Sequence, residues 1–283
     1  MTSHPALDHD WLGACRTAAE GLRAVLREHP TSRERVIETG LTGEGGDKTL
    51  VIDAEAEERV FAALQHLHDD GARFTVVSEE RGTVDFGSHD VLVVVDPIDG
   101  SLNAKRGLPH HALSVAVATG TTMADVVFGF VYDLGPGEEW RATLGGGAFL
   151  NDRPLDSPPP ERRTPDGRLE LIAVESADPR WLALASDDLV AATRRIRAMG
   201  SIAVSMCQVA ATRVDAMASL ARTRAVDAAA AQLIVRESGG EVAFLGAPGG
   251  PLGAPLDLEP HHPVVAARSP ESLRQLEALP AVC

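Results

Sequence analysis

Two carboxylates, Asp96 and Asp99, stand three residues apart in Asp96-Pro97-Ile98-Asp99-Gly100-Ser101, directly after the apolar run 91–95. A strand that ends in paired carboxylates offers hard oxygen ligands to a cation. A helix opening at the following glycine and hydroxyl aims free N–H groups and its positive dipole end at an anion. One short segment thus has the means to hold cations on one side and a phosphate on the other. Gly100 lets a phosphate approach the backbone, and the Ser101 hydroxyl can orient a water. The same residues also make a good turn, because proline presets φ and Asp-Gly tolerates a tight bend.

Other acidic residues fall at element ends. Glu79 and Glu80 follow an apolar run at 74–77, Asp53 follows a short strand pattern at 48–52, and Asp227 opens a helical pattern. Taken singly, Glu79-Glu80 is a solvated charge pair, and Asp53 and Asp227 are helix caps. Taken together they form an oxygen-rich ligand set of the kind Mg²⁺ prefers. Two such ions can activate a water and stabilise a leaving oxygen in an in-line displacement.

The elements that must position these groups follow from periodicity. Leu7, Trp11, Cys15, Ala18, Leu22, Val25 and Leu26 give residues 6–28 a helical repeat. Residues 40–47 are a flexible loop by composition. A helix after Asp53 carries Val60, Phe61, Leu64 and Leu67 on one face and stops near Gly71. Strands are expected at 74–77, 91–95, 113–119 and 126–132. The proline-rich segment 157–167 reads as an interdomain connection between an N-terminal half, 1–156, and a C-terminal half, 168–283. Beyond it the pattern predicts a strand at 169–174, a helix from Asp178 and a strand at 196–199. A helix follows Gly200-Ser201, with Ile202, Met206, Val209 and Ala210 facing inward. The helix from Asp227 closes at Gly239-Gly240, a Gly/Pro loop spans 246–256, and a last strand covers 263–267. No internal repeat is present, and the alternation indicates mixed α and β layers.

Composition narrows the function. The 283 residues are 44% apolar and carry a formal net charge of −15. That balance argues against a nucleic-acid or anionic-membrane surface. Bound divalent cations would reverse the local field, so an acidic protein can still handle phosphate esters. Cys15, Cys207 and Cys283 lack metal-ligand spacing and fit a reducing cytoplasm. The N-terminus lacks the pattern of a signal peptide, and no apolar run approaches the ~20 residues of a membrane span. His110-His111 and His261-His262 read as loop histidines, since an oxygen-rich Mg²⁺ site does not want imidazole. Gly145-Gly146-Gly147 is not a dinucleotide fingerprint, and Arg194-Arg195-Ile196-Arg197 reads as a solvated edge.

The motifs together resemble the inositol monophosphatase superfamily of Mg²⁺-dependent, lithium-sensitive phosphatases. Ser78-Glu79-Glu80 is similar to its first acidic motif and residues 96–101 to its signature. Gly145 to Asn151 is similar to its Gly-x-Gly-Ala-Phe/Tyr-x-Asn stretch. Val226-Asp227 with Ala228 to Gly240 is similar to its C-terminal motif. The resemblance implies a layered αβαβα sandwich of the sugar phosphatase type, usually dimeric. It implies that Glu79, Asp96 and the Ile98 carbonyl hold one Mg²⁺, that Asp96, Asp99 and Asp227 hold a second, and that Glu79 binds a water of a third, weaker site. It further implies that Asp53 and Ser101 orient the nucleophilic water and that the N–H groups of Gly100 and Ser101 bind phosphate.

Departures bear on substrate. Inositol-selective members usually have Thr, Trp and Glu where this chain has Ser101, Val226 and Leu220. Residues 99–104 with Gly107-Leu108-Pro109, and the Gly-rich stretch before Asp53, are closer to the archaeal-type members that hydrolyse both fructose 1,6-bisphosphate and inositol monophosphates. Arg222 and Arg224 fall roughly where those enzymes carry arginines that could grip a second phosphate, or are surface arginines. Gly200 and Ser201 match the family's sugar-contact region, or form a plain N-cap. The sequence therefore points to a cytoplasmic, Mg²⁺-dependent phosphomonoesterase acting on small sugar or polyol phosphates, and the resemblance implies a homodimer. A relative specialised for histidinol phosphate or 3′-phosphonucleotides, and a regulatory binding protein on the same scaffold, are the alternatives.

Overall fold

Side-chain size alternates along the central strands, and that alternation sets the layers. In the computed structural model, which describes residues 5–42, 48–156, 158–277 and 279, Val93 and Val95 of the strand Gly82–Asp99 enter one buried cluster and Val94 another. In the neighbouring strand Ala112–Ala118, Leu113, Val115 and Val117 join the first cluster, and Ala112, Ala116 and Ala118 the second. This is the period of two expected of a strand. The large-residue face is covered by the helices Trp11–Glu28 and Val51–Asp69, through Leu22, Leu26, Val60 and Leu64 among others. The small-residue face receives the helix Ala225–Glu237, whose residues Ala228 to Ala231 are all buried. A Cβ at Gly129 would lie 2.6 Å from the Ala230 carbonyl oxygen, so the close approach of helix and sheet requires glycine there.

The first sheet has seven strands, in the order Phe74–Ser78, Gly82–Asp99, Ala112–Ala118, Val126–Asp133, Glu138–Thr143, Gly147–Leu150 and Arg153–Pro154. The second has five, in the order Ile196–Arg197, Ile172–Glu175, Ala216–Ser219, Val264–Ala267 and Glu241–Phe244. The helices Ile202–Ala210 and Ala225–Glu237 lie between the sheets, and Pro179–Leu184, Ser186–Ala192 and Pro270–Glu277 cover the outer face of the second. The layers are α, β, α, β, α, the sandwich the motifs implied. Strands of the two sheets come from before and after the proline-rich segment. One buried cluster nevertheless joins Val94 and Trp140 to Met217 and Val264 across the middle helices. Among the described residues no helix is long and apolar enough to cross a membrane.

Three local expectations need correction. The strand expected at 91–95 is the second half of a longer element, Gly82–Asp99. Residues 82–86 run antiparallel to 74–78, the chain bends at Gly87 with φ +92°, and 92–95 return parallel on the other edge of 74–78. The polar residues from Thr83 to Asp90 hide this strand because they lie at the exposed sheet edge. Residues 40–42, expected in a loop, end the strand Glu38–Thr42, which pairs antiparallel with Lys48–Leu50; 43–47, the remainder of that loop, lie outside the described residues. The helices expected to open at Asp53 and Asp227 begin at Val51 and Ala225, so both aspartates are third residues of their helices. A carboxylate there still meets first-turn N–H groups, and Asp227 accepts from the Arg224 N–H at 3.4 Å.

Candidate active site

Strand pairing assembles the acidic cluster. Parallel register sets Ser78 opposite Val95, so the next residues, Glu79 and Asp96, leave the sheet side by side. On the other edge Asp96 pairs with Ser114. The Ser114 hydroxyl donates to the Val226 carbonyl at 3.2 Å, which ties the start of the helix Ala225–Glu237 to the sheet and brings Asp227 to Asp96. Asp99 lies at the strand's end, where its Oδ2 accepts from the Ser201 hydroxyl at 2.6 Å and the Ala203 N–H at 2.7 Å. Carboxylate oxygens of Asp96, Asp99 and Asp227 all lie within 4.8 Å of one another, and all three residues are buried. Beside them a cleft of about 360 Å³ is lined by Asp53, Glu79, Glu80, Asp96, Pro97, Ile98, Ser101 and Lys105.

Gly100 makes the turn out of the strand. Its φ is +86°, and an added Cβ would lie 2.9 Å from the carbonyl oxygens of Gly200 and His110. Ser101 follows as the first residue of the helix Ser101–Arg106. The Ile98 N–H donates to Asp96 Oδ1 at 2.9 Å, fixing the turn against the carboxylate it carries.

Burial and crowding of like charge dominate the electrostatics. Desolvation, with Arg224 opposing and Asp227 reinforcing it, raises Glu79 to about 7. Desolvation and the charge of Asp227 raise Asp99 to about 8, against the two hydrogen bonds it accepts. Asp96 is pushed well above the usual carboxylate range by desolvation, then by Glu79, Asp99 and Asp227. Asp227 is raised by desolvation, with Arg224 opposing. Arg224 bridges Glu79 at 2.5 Å and Asp227 at 3.4 Å. An all-oxygen, buried, mutually repelling donor set of this kind fits a hard divalent cation, and Mg²⁺ bound by a few carboxylates is the ordinary case.

The other expected contacts divide. Gly200, with φ +81°, abuts Gly100. Ser201 is buried, caps the helix Ile202–Ala210 by accepting from the Val204 N–H at 3.1 Å, and donates to Asp99. Arg222 is exposed, whereas Arg224 lies across two of the cluster's carboxylates. Three supporting residues escaped sequence reasoning. Buried Glu57 accepts from the Ser78 hydroxyl at 2.5 Å and the Arg81 N–H at 3.2 Å, and so braces the turn bearing Glu79. Glu175 accepts from the Met199 and Gly200 N–H groups, both at 2.9 Å, and from the Ser205 hydroxyl at 2.5 Å. Lys105 lines the cleft. Spacing could have found two of them, since Glu57 and Lys105 stand four residues after Asp53 and Ser101 on the same helix faces. The glycine-rich stretch and the C-terminal motif meet structurally, for Glu237 accepts from the N–H groups of Gly145 and Gly147, both at 2.9 Å.

A layered αβαβα chain with carboxylates converging on one cleft has the architecture of the sugar-phosphatase class. A sequence model of the inositol monophosphatase family matches residues 9–279. The fructose-1,6-bisphosphatase/inositol-1-monophosphatase of Archaeoglobus fulgidus is 31% identical over 278 residues, covering 96% of this chain and 99% of its own. The Nus factor SuhB of Pasteurella multocida is 33% identical over 200 residues, covering 69% and 71%. The crystal structure of an inositol monophosphatase–fructose 1,6-bisphosphatase superposes with a TM-score of 0.77 at 26% identity, over 95% of this chain and 98% of that one. The chain belongs to the inositol monophosphatase family. It is a phosphoric monoester hydrolase, and its substrates are small phosphate esters.

Proposed function

We propose that the protein is a Mg²⁺-dependent phosphomonoesterase for small sugar or polyol phosphates, inositol 1-phosphate and fructose 1,6-bisphosphate foremost. The observation that carries this reading is the convergence of Asp96, Asp99 and Asp227 within 4.8 Å, next to a cleft that also holds Glu79, Asp53 and Ser101. Asp96, Glu79 and the Ile98 carbonyl would hold one ion, and Asp96, Asp99 and Asp227 a second, with Glu79 also serving a weaker third through water. Bound there, the ions would supply Lewis-acid polarisation of the phosphoryl group and a water of lowered pKa. Asp53 and the Ser101 hydroxyl then orient the attacking water in line with the leaving oxygen. The N–H groups of Gly100 and Ser101 would donate to the phosphoryl oxygens, so positioning and preorganised dipoles would supply the protein's part of the catalysis. Lys105 adds a positive charge to the phosphate side of the cleft.

Arg222 and Arg224 are the candidates for a second phosphate, with Gly200 and Ser201 beneath the sugar. Arg224 reaches a substrate only if cations displace it from Glu79 and Asp227. The reading places the enzyme in the cytoplasm as a homodimer. A SuhB relative named as a Nus factor supports a second reading, a regulatory binding role on the same scaffold.

The test is phosphate release from inositol 1-phosphate and from fructose 1,6-bisphosphate, each with Mg²⁺ and with chelator. Mg²⁺-dependent turnover of both is expected. Turnover of neither would overturn the substrate assignment and bring histidinol phosphate and 3′-phosphonucleotides forward. Turnover unaffected by chelator would overturn the metal assignment.

A further inference from the structure

Beyond the end of the helix Ser101–Arg106, and sharing no lining residue with the catalytic cleft, lies a second, larger concavity of about 930 Å³. Its charged side chains, Arg23, Arg27 and Arg35, are all basic, and burial holds the His111 beside them below its usual range. Arg23 and Arg27 come from the end of the helix Trp11–Glu28, Arg35 from the short helix Ser32–Arg35, and His111 from the segment after the signature helix. In a chain of net charge −15 such a lining runs against the composition. Among the described residues none of the three arginines forms an ion pair. Arg35 is held rigidly by neutral acceptors, donating to the carbonyls of His29 at 2.7 Å, Ala104 at 2.9 Å and Leu26 at 3.1 Å. A guanidinium has five N–H donors, so two of its donors remain after these bonds. Arg27 spends one donor on the Arg23 carbonyl at 3.2 Å, and both Arg23 and Arg27 are exposed at the rim. The floor is apolar, made by Leu26, Leu108, Pro109 and Leu134.

We propose that Arg23, Arg27 and Arg35 form a second anion site, separate from the catalytic cleft, for a small molecule carrying at least two phosphate-type negative charges. Planar guanidinium forks match phosphate oxygens bidentately. Arg35, fixed in place by three carbonyls, forms the preorganised base, and the two rim arginines close on the outer oxygens. The apolar floor gives room for the organic part of a phosphorylated metabolite. Arg35 also reaches the signature helix through Ala104, and Gly107 and Leu108 wall the pocket, so a ligand here bears on the helix that presents Ser101 and Lys105 to the cleft.

Pyrophosphate is the probe, titrated calorimetrically into the full-length protein after divalent ions have been removed by dialysis, so that no added chelator competes. The wild-type chain is expected to bind one equivalent. Arg23→Ala/Arg27→Ala, at exposed positions that leave the core untouched, is expected to weaken binding by about tenfold or more, with the thermal midpoint unchanged. Lys105→Ala, which removes the cation lining the catalytic cleft, is expected to bind as the wild type does. Hydrogen exchange across residues 101–108 is expected to slow on binding in the wild type and not in the double variant. Absence of saturable binding overturns the site. So does equal affinity in the double variant, or loss of binding in Lys105→Ala, which would locate the anion in the catalytic cleft.

Discussion

Asp96 occupies the position on which the acidic cluster depends. It follows the buried residues 93–95, lies beside Glu79 through the parallel register, and is crowded by Asp99 and Asp227. Asparagine there keeps the shape and the oxygen that accepts from the Ile98 N–H, but removes the charge that both proposed metal positions share. Asp96→Asn is therefore expected to lose about 10³-fold or more in turnover while its metal-free thermal midpoint stays level or rises, because a buried like-charge contact is relieved. Retained turnover in a folded variant would defeat the two-metal assignment. At this scale the acidic cluster was legible in sequence because its carboxylates fall at the ends of regular elements, Asp96 and Asp99 among the last four residues of a strand and Asp227 in the first turn of a helix. Glu57 was legible only through its spacing from Asp53, and Glu175 was not legible, because its partners are backbone N–H groups and a hydroxyl distant in sequence, such as the Gly200 N–H.

Elements hold the site through backbone contacts as much as through side chains. Gly100 packs against the Gly200 carbonyl because it lacks a Cβ, Gly200 lacks one against the Asn103 amide, and both have positive φ, +86° and +81°. Gly100→Ala meets the left-handed penalty and a 2.9 Å contact with two carbonyl oxygens, neither of which is a flexible side-chain end. A loss of roughly 2 kcal/mol or more in stability is expected, read by urea unfolding. The loss in turnover should exceed what that instability explains, since Ser101 moves with the turn. Wild-type stability in the variant would refute this account of the packing. Periodicity found the buried strands and most helices, because apolar spacing records which face is covered. It missed 82–86, an exposed sheet edge with little apolar signal, and the strand Glu38–Thr42, where glycine and threonine pair through the backbone. It also set the starts of two helices two residues late, since Asp53 and Asp227 look like caps when they are third residues.

The whole molecule joins two sheets through a site that is repulsive without cations. Asp96 and Asp99 belong to the first sheet, and Asp227 to a helix packed between the sheets, so cation binding would clamp one to the other. Without cations the folded chain keeps protons on Glu79 up to about pH 7 and on Asp99 up to about pH 8, and Asp96 and Asp227 are also raised. The unfolded chain releases those protons near pH 4. Folded protein thus binds more protons across this window, and its stability is greatest at the low end and lost as pH rises towards 8. Asp166 and Asp178, held at about 2 chiefly by hydrogen bonds from Thr164 and Arg180, have finished titrating below pH 5, and His111, held below its usual range by burial, works in the opposite direction to the cluster. Mg²⁺ binds the deprotonated set and stabilises by mass action, so its contribution should grow over the same range. Between pH 5 and pH 8 the metal-free thermal midpoint is expected to fall by about 5 °C or more, and the rise produced by Mg²⁺ to be larger at pH 8 than at pH 5. Asp96→Asn should flatten both trends. A metal-free midpoint that climbs to pH 8, or a Mg²⁺ effect independent of pH, would mean that the cluster is not held together against its own charge.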